Sequence, residues 1–182
     1  MGRIDEMNKF VAFLRGINVG GHKPVRMDDL ANVFVSIGLK NVTTYIQSGN
    51  VIFETTRTNR DALTKKIEEA LDRLLGYQVK VFLRTADELE TLVRLDPFKN
   101  VKTGADAKPY VTFLAEAPGR EVKVPLMSLQ GDVEIIRISG CDVLSLSRRI
   151  KGRSGYPNNF IEKEFGLPAT TRNWATVTKV VK

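Results

Sequence analysis

The stretch Val42-Thr43-Thr44-Tyr45-Ile46-Gln47-Ser48-Gly49-Asn50-Val51-Ile52-Phe53-Glu54 decides how this chain is read. Residues 42–47 are rich in β-branched and aromatic side chains, which suit a strand. Ser48-Gly49 is a turn pair, and residues 50–54 return as a second strand, so the segment is a β-hairpin. Upstream, residues 26–37 carry Leu30, Val33, Phe34 and Ile37 on one helical face, and Gly38 stands where that helix should end. Residues 9–14 before it, rich in Phe and Val, read as a buried strand ending at Arg15-Gly16. Downstream, Thr58 or Asn59 can cap a helix with Leu63, Ile67, Leu71 and Leu74 on one face, closed by Gly76. Residues 78–84 form a further strand. The order is β-α-β-β-α-β, the split unit of ferredoxin-like folds.

The remainder reads as a rougher copy. A connecting helix over residues 85–95 stops at Asp96-Pro97, and a polar loop fills 99–108. Residues 109–115 are a strand, 122–129 are expected to contain a helix, and 133–138 with 142–147 flank Ser139-Gly140-Cys141 as a hairpin. A basic loop covers 148–156. Asn158 or Asn159 caps a helix through Phe165, and Thr170 or Thr171 caps a last helix bearing Trp174, Val177 and Val181. The copy's fourth strand is expected to be missing or replaced. The expected fold class is therefore α+β, with two ferredoxin-like halves of antiparallel sheet, the second irregular and ending in a C-terminal helix. Their expected spans are residues 8–84 and 109–182, joined by a helix and loop over 85–108.

At 182 residues and 42% apolar content, the chain suits one compact domain or two small joined ones. No apolar run approaches the roughly 18 residues of a membrane span. Residues 1–8 are polar and hold no signal core, so the expected location is cytoplasmic, with no membrane partner. The single Cys141 excludes an internal disulfide and an all-cysteine metal site. Net charge is +7. Nearly all the excess lies in the last fifth of the chain, where Arg148, Arg149, Lys151, Arg153, Lys163, Arg172, Lys179 and Lys182 face only Glu162 and Glu164. That balance favours an anionic partner: nucleotide, nucleic acid or acidic metabolite.

Three separated segments carry the candidate site: residues 15–21, residues 45–50, and Thr170-Thr171-Arg172-Asn173-Trp174. In a ferredoxin-like unit, strands one and two run parallel with strand three between them. The loop after residue 14 and the turn after residue 47 then share one sheet edge. A glycine loop leading into a helix offers backbone N–H groups and partial positive charge to an anion. Arg15 adds a forked donor, and Asn18, Gln47, Ser48 and Asn50 add amide and hydroxyl groups. Each has a plainer use. Gly16, Gly20, Gly21 and Gly49 serve turns, Asn18 and Asn50 bond local backbone, and Arg15 can pair with a structural carboxylate. Residues 16–21 match neither a phosphate-binding P-loop ending nor G-x-G-x-x-G. Arg172 and Asn173 fall at an expected helix start, where a base opposes the helix dipole and is better placed holding an anion or a carboxylate from the other half. The basic loop Arg148, Arg149, Lys151 and Arg153 can close over phosphate, lie along a nucleic-acid backbone, or simply be solvated. Trp174 fits a core position better than a stacking one.

Catalytic chemistry is sparse. His22 beside the double glycine is the one histidine, able in principle to act as acid or base near an anion. Cys141 has no base fixed near it in sequence. No metal-ligand spacing is present, and Asp28-Asp29 and Glu68-Glu69 sit in expected helices. The expectation is no metal, no cofactor and no recognisable catalytic constellation.

Residues 13–21 (Phe13-Leu14-Arg15-Gly16-Ile17-Asn18-Val19-Gly20-Gly21) with Met27 and Leu30 form one conspicuous block. Residues 44–51 and Thr170-Thr171-Arg172-Asn173-Trp174 with Thr176 and Val177 form two more. Together they resemble the bacterial family of unknown function numbered 1697, over residues 8–181. The resemblance implies a pair of ferredoxin-like subdomains in a cytoplasmic bacterial protein. It implies no activity and no catalytic residue. The expected function is a binding module for a phosphate-bearing ligand, nucleotide or nucleic acid. Its contacts would be Arg15, Asn18, Gly20, Gly21, Gln47, Ser48, Asn50, Arg172 and Asn173. The alternatives are an enzyme acting on a small anionic metabolite, and an interaction protein or homo-oligomeric scaffold.

Overall fold

The computed structural model describes residues 7–19, 24–101, 104 and 106–182. Within it the chain divides into two units, Met1–Leu89 and Glu90–Lys182.

The first unit runs β1 (Asn8–Leu14), α1 (Met27–Ser36), β2 (Lys40–Tyr45), β3 (Asn50–Thr55), α2 (Arg60–Leu75) and β4 (Val81–Thr85). The sheet order is β2-β3-β1-β4, with every neighbouring pair antiparallel. Alternation sends Phe10, Ala12 and Leu14 of β1 into a core with Leu30 and Phe34 of α1, Phe53 of β3, and Leu63, Ile67 and Leu71 of α2. Phe53 stacks on Phe10 with ring centres 5.8 Å apart and tilts against Phe34 at 5.5 Å. Each such side chain contributes about 1.5–3 kcal/mol by leaving water. Asn59 caps α2, its side chain accepting from the Ala62 N–H at 3.0 Å, and Gly76 ends it in the left-handed conformation.

The fourth strand passes without a loop into α3 (Ala86–Arg94). The junction is a capping box. Thr85 Oγ1 accepts from the Glu88 N–H at 3.2 Å, and Glu88 Oε2 accepts from the Thr85 N–H at 2.8 Å. Arg60 Nη2 also donates to both Glu88 oxygens, at 2.8 and 2.9 Å. Burial alone pushes the Glu88 carboxyl up. The Arg60 hydrogen bond, the Thr85 N–H and the charges of Arg60 and Arg84 outweigh it and hold the pKa below its ordinary value. A depressed carboxylate stabilises the fold above its unfolded pKa and loses that contribution as pH falls through its folded pKa. Because the pair is partly exposed, Glu88→Gln is expected to cost only about 0.5 kcal/mol at neutral pH. That cost should shrink below the ordinary value of 4.5 and be absent once the folded carboxyl is protonated. Urea midpoints of the two proteins across this range check it; a constant difference would remove Glu88 from the acid response.

The second unit contains β5 (Lys108–Leu114), β6 (Leu126–Met127), β7 (Val133–Ser139), β8 (Asp142–Ser147), β9 (Arg149–Ile150), β10 (Arg153–Ser154), α4 (Pro157–Phe165), β11 (Ala169–Asn173) and α5 (Trp174–Val180). Its main sheet is antiparallel, in the order β11-β5-β8-β7-β6. Leu114, Ile135, Val143 and Ala169 pack with Ile161 of α4.

Five sequence expectations change here. Residues 122–129 hold no helix. They carry a cis Val124–Pro125 bond and the short edge strand β6. A proline inside a helix would remove a bond and clash with the preceding turn. The fourth strand is present, as β11. Thr170 and Thr171 lie inside it and Asn173 caps α5, its side chain accepting from the Thr176 N–H at 2.7 Å. The cap position of α4 is Tyr156, because Pro157 takes the first helical position its fixed φ favours; Asn158 is buried in the first turn. The basic stretch is an ordered ribbon of β9 and β10, not a plain loop. Its turn, Lys151-Gly152, has φ of 47° and 81°, a two-residue turn of the hairpin type.

The units share internal details. The sequence β4-β1-β3-β2 in one recurs as β11-β5-β8-β7 in the other. The Leu14 N–H donates to Gly49 O at 2.8 Å, and the Leu114 N–H to Cys141 O at 2.8 Å. Arg84 and Arg172 occupy the penultimate position of the fourth strand. Each is buried and donates to the carbonyl of the preceding residue.

Candidate functional site

In the first unit, the loop leaving β1 and the turn joining β2 to β3 meet, as the topology requires. Asn18 makes the junction. It adopts φ of 57°, a left-handed conformation that asparagine tolerates. Its Nδ2 donates to Gln47 O at 3.0 Å and to Val25 O at 3.1 Å, and its Oδ1 accepts from the Val25 N–H at 2.7 Å. One side chain thus ties the β1 loop to the hairpin turn and to the entry of α1. Ile17, next to it, is buried in the core beneath Gly49.

Asn50 is likewise engaged within the fold. Fully buried, it spans the hairpin turn by donating to Tyr45 O at 2.9 Å and to Ser48 Oγ at 3.0 Å. The polar contacts of Asn18 and Asn50 therefore hold the edge in shape. Arg15 and Gln47 are exposed on that edge, with Ser48 partly so. Backbone position is fixed at Arg15, whose N–H donates to Lys80 O at 2.9 Å. Ile46 is 48% exposed at φ of 50°, a conformation costly for a β-branched residue and not signalled by the sequence. Gly20, Gly21 and His22 lie outside the described residues.

In the second unit Arg172 is buried, not presented on a helix start. Its Nη1 donates to Thr170 Oγ1 at 2.8 Å and to Thr171 O at 2.9 Å. Burial pushes the guanidinium pKa down to about 10, with the Tyr156 phenol pulling the other way. Thr171 belongs to a buried polar chain, with Thr112 Oγ1 at 2.8 Å and Asn158 Oδ1 at 3.1 Å. Asn173 is committed to its cap. Trp174 is partly buried, its ring meeting the edge of Phe98 at 5.2 Å. Of the basic stretch, Arg148 contacts Glu134 at 2.5 Å and stays at the foot of the ribbon. Arg149, Lys151 and Arg153 are exposed, and Arg149 Nε donates to Gly152 O at 3.3 Å. Ile150, Lys151 and Arg153 border an open depression with Gln130 and Asp132. Cys141 is half-buried in the β7–β8 turn. Among the described residues, no three His, Cys, Asp or Glu side chains are grouped to hold a metal ion, and no helix is long and apolar enough to cross a membrane.

The elements define a mixed α+β protein on antiparallel sheets. The chain belongs to the family described as protein of unknown function DUF1697, whose model matches residues 7–143. None of the curated proteins matches it. Among solved structures it is similar to a conserved bacterial protein from Streptococcus pneumoniae. The two are 21% identical with a TM-score of 0.70, over 97% of this chain and 98% of that one, a likeness of fold.

Proposed function

We propose that the protein is a binding module for a phosphate-bearing ligand, carried on two ferredoxin-like units and working in the cytoplasm. The observation that carries this reading is the Asn18 junction. It ties the loop that follows Arg15 to Gln47 of the hairpin turn, which supports a shared edge for Arg15, Gln47 and Ser48. Arg15 supplies the charge and the forked geometry for a phosphate; Gln47 and Ser48 supply neutral hydrogen bonds. The basic C-terminal fifth of the chain raises the local concentration of such anions.

A thermal-shift screen of nucleotides, phosphorylated metabolites and inorganic phosphate tests it, since a ligand of the folded state stabilises by about 2.7 kcal/mol at a hundredfold excess over Kd. A charge-assisted contact is worth about 1.5–3 kcal/mol, so Arg15→Ala is expected to weaken the best ligand by roughly 10- to 100-fold. Identical shifts in the variant would place the ligand elsewhere. Turnover of a phosphorylated metabolite would favour the enzyme reading over this one.

A further inference from the structure

We infer that the β9–β10 ribbon and Tyr156 form a track for single-stranded nucleic acid, with phosphates along the ribbon and a base stacked on the tyrosine ring. The inference rests on the phosphate-ligand reading above and names a polymer for a second place on the surface.

The ribbon supplies the phosphate side. Its tight turn leaves no slack between the strands, so its cations are held on a stiff support. Ile150 pairs with Arg153 and Arg149 with Ser154. Cross-strand partners share a face, so Arg153 and Arg149 fall on opposite faces, with Lys151 at the tip. Among the described residues no ion pair engages Arg149, Lys151 or Arg153, while Arg148 beside them meets Glu134. Asp132, the carboxylate of the bordering depression, accepts from Ser128 Oγ at 2.7 Å. The free positive charge is therefore in excess.

Tyr156 supplies the base side. It lies two residues beyond β10, at most about 7 Å along the chain. The residue is 54% exposed, yet it is not loose. The hydroxyl donates to Thr171 O at 3.3 Å, and the ring meets Tyr110 nearly perpendicular, centres 6.2 Å apart. The foot of the support is also tied, because Ser147 Oγ donates to Gly155 O. An exposed aromatic ring held at its hydroxyl and by one neighbouring ring, beside a basic ribbon, is an arrangement that suits single strands. Every base has a face to stack, whereas a duplex hides its bases. A stacking ring has no use for a bare polyanion, which separates this reading from general adsorption.

Fluorescence anisotropy with a labelled oligo(dT) of about 12 nucleotides, read across a salt series, is the test. Lys151 at the tip and Arg153 predict a slope of log K on log salt of about −1.4, falling close to zero in the Lys151→Gln, Arg153→Gln double variant. Tyr156→Leu is expected to weaken binding about tenfold at unchanged slope, and Tyr156→Phe to stay within about twofold of the parent. Where the leucine variant does not fold, photocrosslinking of an iodouracil oligonucleotide to the parent protein replaces it, with Tyr156 as the expected site. Crosslinks confined to other residues, equal affinity for the duplex, or inorganic polyphosphate competing on equal terms would each overturn the inference. An Arg15-dependent nucleotide shift without oligo(dT) binding overturns it and leaves the first reading standing. Bound oligo(dT) without any nucleotide shift does the reverse.

Discussion

Gly49→Ala is expected to cost about 3 kcal/mol of stability, read as a fall in the urea midpoint at unchanged slope. Two effects add. Gly49 sits at φ of 74°, where a side chain meets its own backbone. A Cβ there would also lie 3.0 Å from the Cβ atoms of Leu14 and Ile17 and 3.2 Å from Ile17 Cγ1. Both neighbours are buried, and a Cβ cannot swing aside as a side-chain tip can. The hairpin turn would have to lift from β1, straining the bond from the Leu14 N–H to Gly49 O. Gly76→Ala separates the two effects. Gly76 has nearly the same φ, 73°, with nothing within 4 Å of the added carbon, so it should lose only about 1 kcal/mol. Equal losses at the two glycines would show that the close approach at Gly49 carries no weight.

Asn18→Ala is expected to cost about 2–3 kcal/mol and to slacken the candidate site along with the fold. It removes three hydrogen bonds at once, leaving Val25 N–H, Val25 O and Gln47 O without that partner. It also places alanine at φ of 57°. Asn18→Gly loses the same bonds but keeps the backbone at ease, so it should retain about 1 kcal/mol relative to alanine. Urea midpoints measure both. Because Asn18 orders the edge, affinity for a ligand of the proposed site should fall in both variants in step with the loosened turn. An alanine variant losing under about 0.5 kcal/mol would mean the bonds are readily replaced by water.

Much of the first unit is legible in the chain itself. Its apolar spacing marks α1 and α2, and the hairpin at residues 42–54 marks the point where β2 turns into β3. The second unit is less legible for identifiable reasons. Val122, Val124 and Leu126 form a short apolar run that fits a helix or a strand equally well by composition, and only Pro125 argues against the helix. Thr170 and Thr171 ahead of a helix look like caps. They form a strand because β5, some sixty residues earlier in the chain, pairs with them through Thr171 and Thr112. No window around residue 170 contains that partner.

The candidate site divides the same way. Residue types alone single out Arg15, Asn18, Gln47, Ser48 and Asn50 as an edge rich in donors and acceptors. They do not distinguish an asparagine that meets a ligand from one that holds a turn. The fold makes that distinction, engaging Asn18 and Asn50 in bonds that hold the turn, while Arg15 and Gln47 are exposed. Arg172 moves furthest, from a supposed helix start to a buried strand position. Tyr156 carried no sequence signal at all, since its fixed ring depends on Thr171 and Tyr110 from two other strands.

By itself, then, the sequence determined the elements of the first unit and the α+β class, because hydrophobic period and turn residues are local properties. Which polar side chains face outward was decided only in the tertiary structure. A buried donor or acceptor takes whatever backbone group the fold brings within about 3 Å, and that group is set by strand pairing across distant parts of the chain.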